Sequence, residues 1–169
     1  VAVTGEKIER KYLAHFIDAA FDLTYAAANY ERIGKDLEEY TIEMNPEAET
    51  VKNILGENST NVKGWEPQAS VDTYYARYGS ALFEKLYNII NDRSTGSQLE
   101  TSIVDVLINQ DATIDSAYRE NVVIIPQSIG GDTGGVNIPY EVHYNGDRTK
   151  GTWNASTKTF TVESIGDNS

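Results

Sequence analysis

The sequence predicts an α+β, mainly β fold: a β-sandwich or open barrel with one flanking α-helix. Three observations predict it. Eight or more short stretches have strand character and are separated by turn residues. One segment alone, residues 80–93, has a clear helical apolar period. No internal repeat, low-complexity tract or linker divides the 169 residues. One domain over 1–169 is therefore expected, with a polar N-terminal arm at 1–10 and a polar C-terminal tail at 163–169. Strands with a single helix pack most simply as a sheet layer with the helix on one side.

Taken in order, residues 12–18 alternate through Tyr12, Ala14 and Phe16, which fits a strand. The spacing of Leu13, Phe16 and Ile17 also fits a helical turn; strand is the preferred reading. Residues 29–33 form a short strand closed by Gly34. Residues 37–44 alternate more clearly, with Tyr40, Ile42 and Met44 on one face and Glu39, Thr41 and Glu43 on the other. Asn45-Pro46 ends that strand. Residues 49–55 and 61–71 read as two strands joined by Gly56, Glu57, Asn58, Ser59 and Thr60, an extended hairpin over 49–71 with a polar tip. In 80–93, Leu82, Phe83, Leu86, Ile89 and Ile90 form one apolar stripe. Ser80 supplies an N-cap, and Arg93 suits the negative end of the helix dipole. Strands follow at 101–108, which alternates, at 118–125 and, after the glycine-rich turn 130–135, at 136–144. A hairpin around 154–157 joins 151–153 to 159–162.

The net charge is −12, from 26 acidic and 14 basic residues. Such a balance repels nucleic acid, whose affinity comes largely from Lys and Arg on phosphates, and disfavours anionic membranes. It also keeps a protein dispersed. The absence of cysteine excludes disulfides, thiolate metal sites and cysteine catalysis. The longest strongly apolar run, 122–125, is far too short to span a bilayer, and no signal peptide is visible.

No motif implies a cofactor, a metal or a catalytic site. Asp132-Thr133-Gly134 matches the core of an aspartic protease, but that chemistry needs two carboxylates sharing a proton. The flanking Gly131 and Gly135 fit a turn better. His15 and His143 are the only histidines. Glu141 and His143 share a strand face, which suggests a polar cross-strand pair more than a metal site. Residues 92–96 lack the alternating ligands of a calcium loop. The sequons at Asn58 and Asn154 matter only in a secreted eukaryotic protein.

Two signals survive these comparisons. Asp36, Glu38, Glu39, Glu43, Glu47 and Glu49 follow one another with no Lys or Arg between 36 and 49. Charge on a strand edge guards against aggregation, but it does not explain such concentration. The eleven tyrosines and two tryptophans are residue types that serve well at interfaces. Tyr74, Tyr75 and Tyr78 crowd just before the helix.

Several stretches resemble the major tail protein, the tail tube subunit, of long-tailed phages and prophages of Gram-positive bacteria. They are YLAHFIDAA (12–20), RIGKDLEEY (32–40), NPEAETVKNILGE (45–57), GWEPQASVDTYY (64–75) and the region 125–161 with IPQSIGGDTGG, YEVHYNGDRTKG and TWNASTKTFT. The resemblance implies a sandwich or barrel with a flanking helix. It implies a structural virion protein, not an enzyme, whose six-membered rings stack into a hollow tube for DNA delivery. It implies copies of itself as main partner, with initiator, tape measure and terminator proteins beside it. DNA would pass through without specific binding, and the chain would sit in the host cytoplasm before it joins the virion tail. The hairpin at 49–71 and the arm at 1–10 would bridge subunits. Glu39 and Glu43 would line the lumen, where an acidic wall offers no cations to hold phosphate. No added immunoglobulin-like domain is expected.

Two other readings stay open. One is the inner tube of a contractile tail or tailocin, which shares the fold. The other is a carbohydrate-binding β-sandwich using exposed Trp65 and Trp153 to stack on sugar rings.

Overall fold

A computed structural model of the chain describes residues 5–24 and 27–163. Most of the N-terminal arm is therefore described, from Gly5 on; the tail expected at 163–169 lies outside the described residues apart from Glu163.

The ambiguity at residues 12–18 resolves as a strand, β1 (Leu13–Asp18), which pairs antiparallel with β2 (Tyr30–Ile33). Asp18 closes the intervening loop: its buried carboxylate accepts from the backbone N–H of Ala20, Asp22 and Asn29, each at 2.9 Å. Next come β3 (Pro46–Lys52), β4 (Asn58–Trp65) and β5 (Gln68–Val71), then α1 (Ala81–Asp92). The remaining strands are β6 (Glu100–Ile108), β7 (Ile114–Pro126), β8 (Gly130–Asp132), β9 (Gly135–Asn137), β10 (Tyr140–Tyr144), β11 (Thr149–Asn154) and β12 (Thr159–Val162). The architecture is mainly β, a curled half-barrel sheet with one helix, as the sequence predicts.

The sheet is organised on β7. One edge of this strand pairs with β6 along its length, from Ile114 opposite Ile108 to Val123 opposite Glu100. The other edge is shared. Ala117–Arg119 pair with β11, and Val122–Pro126 pair with β10. At about 3.4 Å per residue, thirteen residues give two short strands room on one edge. The main path therefore runs β12-β11-β7-β6-β1-β2, with β10 and β5 branching from the far end of β7.

Both faces of the central strands are covered. Ile17, Ile103, Val122, Ile124 and Val142 join Leu82 and Leu86 of α1 in one core. Ala14, Phe16, Val104, Val106 and Ala117 join Tyr30, Trp153 and Phe160 in a second core on the opposite face. The alternation expected at 101–108 is therefore not an in-and-out burial pattern, since six consecutive residues, Thr101 to Val106, are buried. The helix forms as predicted. Ser80 Oγ accepts from Phe83 N at 3.3 Å, and Leu82, Leu86 and Ile89 are buried. Arg93 stands at the C-terminal end, as the C-cap, in a left-handed conformation at φ 50°.

Four segments differ from the sequence reading. Residues 37–44 form no strand beyond a single bridge, Glu43 to Gln68. Tyr40 is buried and Ile42 half-buried, with Glu39, Thr41 and Glu43 outward, but Met44 is exposed. This segment bonds to a side chain and an isolated bridge in place of a ladder: Arg10 donates to the Tyr40 carbonyl, and Glu43 exchanges backbone bonds with Gln68. Pro46 opens β3 where a strand end was expected, a position where proline's missing donor is tolerated. The hairpin spans Pro46–Trp65, shorter at its far end than 49–71, because Gln68–Val71 leave to pair with β10. The strand expected at 136–144 breaks at Ile138-Pro139 into β9 and β10. The glycine-rich turn is a miniature hairpin of β8 and β9, in which Gly134 N donates to Asp132 Oδ1 at 2.7 Å.

Gly151 marks where β11 meets β12. A Cβ there would lie 2.3 Å from the Thr161 carbonyl oxygen and 2.4 Å from the Phe160 ring. Gly151→Ala is expected to cost about 1–3 kcal/mol of stability by overpacking, measured by urea denaturation. An unchanged midpoint would show that the β11–β12 packing is loose.

Candidate assembly surface

The β3–β4 ribbon stands out because, among the described residues, none of its side chains is buried. Every residue of both strands is exposed except the half-buried Gly64. Its internal ties are the backbone ladder, a Thr50–Thr60 hydroxyl pair at 3.0 Å and an exposed Lys63–Glu49 ion pair at 2.8 Å. Exposed pairs of this kind contribute about 0–1 kcal/mol, and an isolated two-stranded hairpin is marginal in water.

The turn is built by Asn53. Its Oδ1 accepts from Leu55 N at 2.9 Å and Glu57 N at 3.0 Å, and its Nδ2 donates to Glu57 Oε2 at 3.2 Å. Gly56, at φ 82°, completes the reversal. The tip therefore comprises residues 53–57. Of the predicted contact residues, Gly56 and Glu57 lie in the turn, while Asn58, Ser59 and Thr60 lie in β4. The residues that sequence reasoning missed are Ile54 and Leu55, read there as the end of a strand. They are 103% and 77% exposed. The signal was present: an apolar pair between Asn53 and Gly56 cannot face a core if those two residues make the turn. Val51, Val62, Met44 and Trp65 add exposed apolar surface along the ribbon. Exposed apolar side chains gathered on one element make the ribbon the candidate interaction surface.

The acidic segment gathers beside the ribbon base. Glu39 and Glu43 line a shallow cleft of about 170 Å³ together with Asp72, Gln68 and Ser70. Sequence reasoning missed Asp72, which arrives through the β5 pairing.

The N-terminal side of the same face rests on buried polar groups. His15 of β1 lies opposite Asp105 of β6, and their side chains meet at 2.5 Å. Arg10 Nη2 lies 3.0 Å from His15 Nε2 and donates to the Tyr40 carbonyl at 2.9 Å. A guanidinium only donates, so His15 Nε2 accepts and Nδ1–H donates to Asp105. Arg148 donates to Asp105 Oδ2 at 2.8 Å and lies 3.6 Å from Glu120 Oε1, while Gly146 N donates to Glu120 Oε2 at 2.8 Å. Tyr40 and Tyr144 share a hydroxyl bond at 2.9 Å, and burial pushes both phenols above their ordinary range. This network holds the 37–43 segment in place without a strand ladder.

The other sequence candidates are dispersed. Asp132 sits in the exposed β8–β9 turn, and His143 meets Glu141 at 3.3 Å within β10, where a cross-strand pair was expected. Trp153 is buried at 6% exposure, which removes one of the two rings needed for a sugar platform; Trp65 is 57% exposed, on the ribbon. Among the described residues no group of three or more His, Asp and Glu could hold a metal.

Burial raises the Glu120 carboxyl above its ordinary value, against the opposing pull of Gly146 N–H and Arg148. The folded state thus holds that proton more tightly than the unfolded chain. Its contribution to stability is full below the unfolded pKa and is lost as pH rises through the raised folded value. Urea midpoints measured from pH 4 upward should show a smaller fall for Glu120→Gln than for the parent. Parallel curves would contradict this.

No family model matches the sequence, and no curated protein matches it. Solved structures do. The sheath/tube terminator of an extracellular contractile injection system, PVC, in the extended state has a TM-score of 0.54 at 9% identity, over 89% of this chain and 100% of that chain. The tube-terminating cap of the anti-feeding prophage gives 0.49 at 12% identity, over 85% of this chain and 89% of that one. A chain of the anti-feeding prophage baseplate gives 0.44 at 12%, over 88% and 97%. At such identity the first likeness is one of fold: this chain folds as a tail-tube-like half-barrel with one helix.

Proposed function

We propose that this chain is a structural subunit of a phage tail or tail-like particle, working by self-assembly into rings that stack around a channel. The observation that carries this reading is the β3–β4 ribbon, whose apolar side chains stay exposed among the described residues. The tail-tube-like fold supports it. A projecting arm on one face that meets a different face of the next copy is a heterologous contact, which closes into rings or extends into filaments. The subunit so described carries no active site. It resides in the tail, its main partner is itself, and initiator, tape measure and terminator proteins would flank it. Among the described residues no helix is long and apolar enough to cross a membrane.

A tube subunit, as in a phage tail tube or the inner tube of a contractile tail or tailocin, is the first form of this reading. A second form is a terminator that caps the tube, favoured by the likeness to the PVC sheath/tube terminator. Tubes extend without limit, whereas a terminator stops at one ring. Negative-stain electron microscopy across a concentration series separates them: hollow tubes indicate the first, single rings the second. Monomers at every concentration, with or without an initiator, would contradict both.

The ribbon is the joint in this proposal. Ile54→Asp with Leu55→Asp should abolish assembly while changing monomer stability by no more than about 0.5 kcal/mol, as for other exposed positions. Assembly that survives the pair would remove the ribbon from the interface.

Glu39 and Glu43, unpaired with any cation among the described residues, are the proposed lumen wall. Replacing both with Lys should slow DNA ejection and leave tube length unchanged, since cations in the wall would bind phosphate. Ejection at the parent rate would place these carboxylates elsewhere.

A further inference from the structure

The chain carries 14 basic residues against 26 acidic ones, yet four of the basic residues border one cleft. Arg10, Lys11, Arg32 and Lys35 surround a cavity of about 550 Å³ whose apolar lining includes Leu13 and Leu37. Leu13 is 40% exposed although it begins a core strand. Arg10 is fixed by His15 and the Tyr40 carbonyl, and Arg32 Nη2 donates to the Lys11 carbonyl at 2.7 Å. These bonds hold both guanidiniums without neutralising them. Lys11 pairs with Glu9 in solvent at 3.2 Å. Glu38 also lines the cleft, and Glu39 borders both it and the acidic cleft of Glu43 and Asp72, but neither is ion-paired with its cations among the described residues. The cleft adjoins β2, the strand that ends the main sheet path. A terminal strand offers an unpaired row of backbone donors and acceptors, a template for pairing with another chain.

We propose that this cleft receives the β3–β4 hairpin tip of a second copy of the chain. The inference rests on the assembly reading above and names the surface that the arm meets. The match is one of paired character. The tip presents two aliphatic side chains, Ile54 and Leu55, with the Glu57 carboxylate beside them. The cleft presents an apolar floor rimmed by cations. Its volume is ample for two aliphatic side chains. Seven residues of β3 at about 3.4 Å each carry the tip roughly 24 Å from the ribbon base, far enough to reach a neighbour. A second apolar groove among the described residues, about 340 Å³ between the end of α1 and the β7–β8 connection, has Arg93 as its one cation. Charge favours the first cleft. Tip and cleft are different surfaces, so the contact is heterologous and propagates around a ring or along a stack.

The absence of cysteine makes the test clean. Leu55→Cys is combined in turn with Leu13→Cys, with Lys35→Cys and with Ile129→Cys, which lies on the competing groove. Assembled material is oxidised and run without reductant. Disulfide-linked ladders from the Leu13 and Lys35 pairs, and none from the Ile129 pair, are expected. In parallel, Arg32→Glu with Lys35→Glu should raise the concentration needed for assembly by about tenfold or more, as for charges at an interface, with an unchanged circular-dichroism melt. Rings or tubes that cross-link only through Ile129, or through none of the three, would overturn the receptor assignment and leave the assembly reading standing. Failure of the parent chain to assemble with an initiator present would instead overturn the assembly reading and this inference with it.

Discussion

The structure depends on one constraint: β7 is long enough to hold three partners. Its full edge with β6 and its divided edge with β11 and β10 split the sheet into two arms. The arms cover opposite faces of β1 and β6. Trp153 and Phe160 close one face, while Tyr140, Val142 and α1 close the other. Remove the fork and the cover from β10, β11 and β12 goes with it, at about 1.5–3 kcal/mol for each large apolar side chain. Covering both faces also traps polar groups, and buried polar groups must find partners. His15, Asp105, Glu120 and Arg148 satisfy one another across three strands and the β10–β11 connection. The network in turn seats Arg10 and Tyr40, so the cationic cleft and the acidic strip are set by the same buried contacts.

The ribbon follows the opposite logic. Its sequence makes a sound local hairpin, with Asn53 and Gly56 at the turn and threonines paired across the strands. Nothing among the described residues rewards it with burial. A local structure this well specified and this poorly packed is understandable if another surface completes it. The free subunit then carries an incomplete element, and assembly supplies the missing apolar contacts.

The sequence made legible what is periodic and locally encoded. The helix, with Ser80 as cap and Leu82, Leu86 and Ile89 inward, was readable because its stripe and its cap agree. The mainly β architecture was readable from its turn residues. What failed required knowledge of distant partners. Residues 37–44 alternate like a strand, yet they meet the neighbouring β5 only at the single Glu43–Gln68 bridge, so no ladder forms. Six consecutive buried residues in β6 have no periodic signature, because the second covering layer comes from β11 and β12, some fifty residues on. Of the candidate surface, the acidic segment was visible as composition. Asp72, the cluster of Arg10, Arg32 and Lys35, and the outward pair Ile54-Leu55 became visible only once the chain was folded.

The central claim is that β3–β4 gains its stability from another copy. Hydrogen–deuterium exchange of residues 46–65, compared between dilute monomer and assembled particles, tests it most directly. The account predicts fast exchange in the monomer, near that of a fraying loop, and strong protection in the assembly, with the β6–β7 amides slow in both. Protection of the ribbon already present in the monomer, or no gain on assembly, would contradict it.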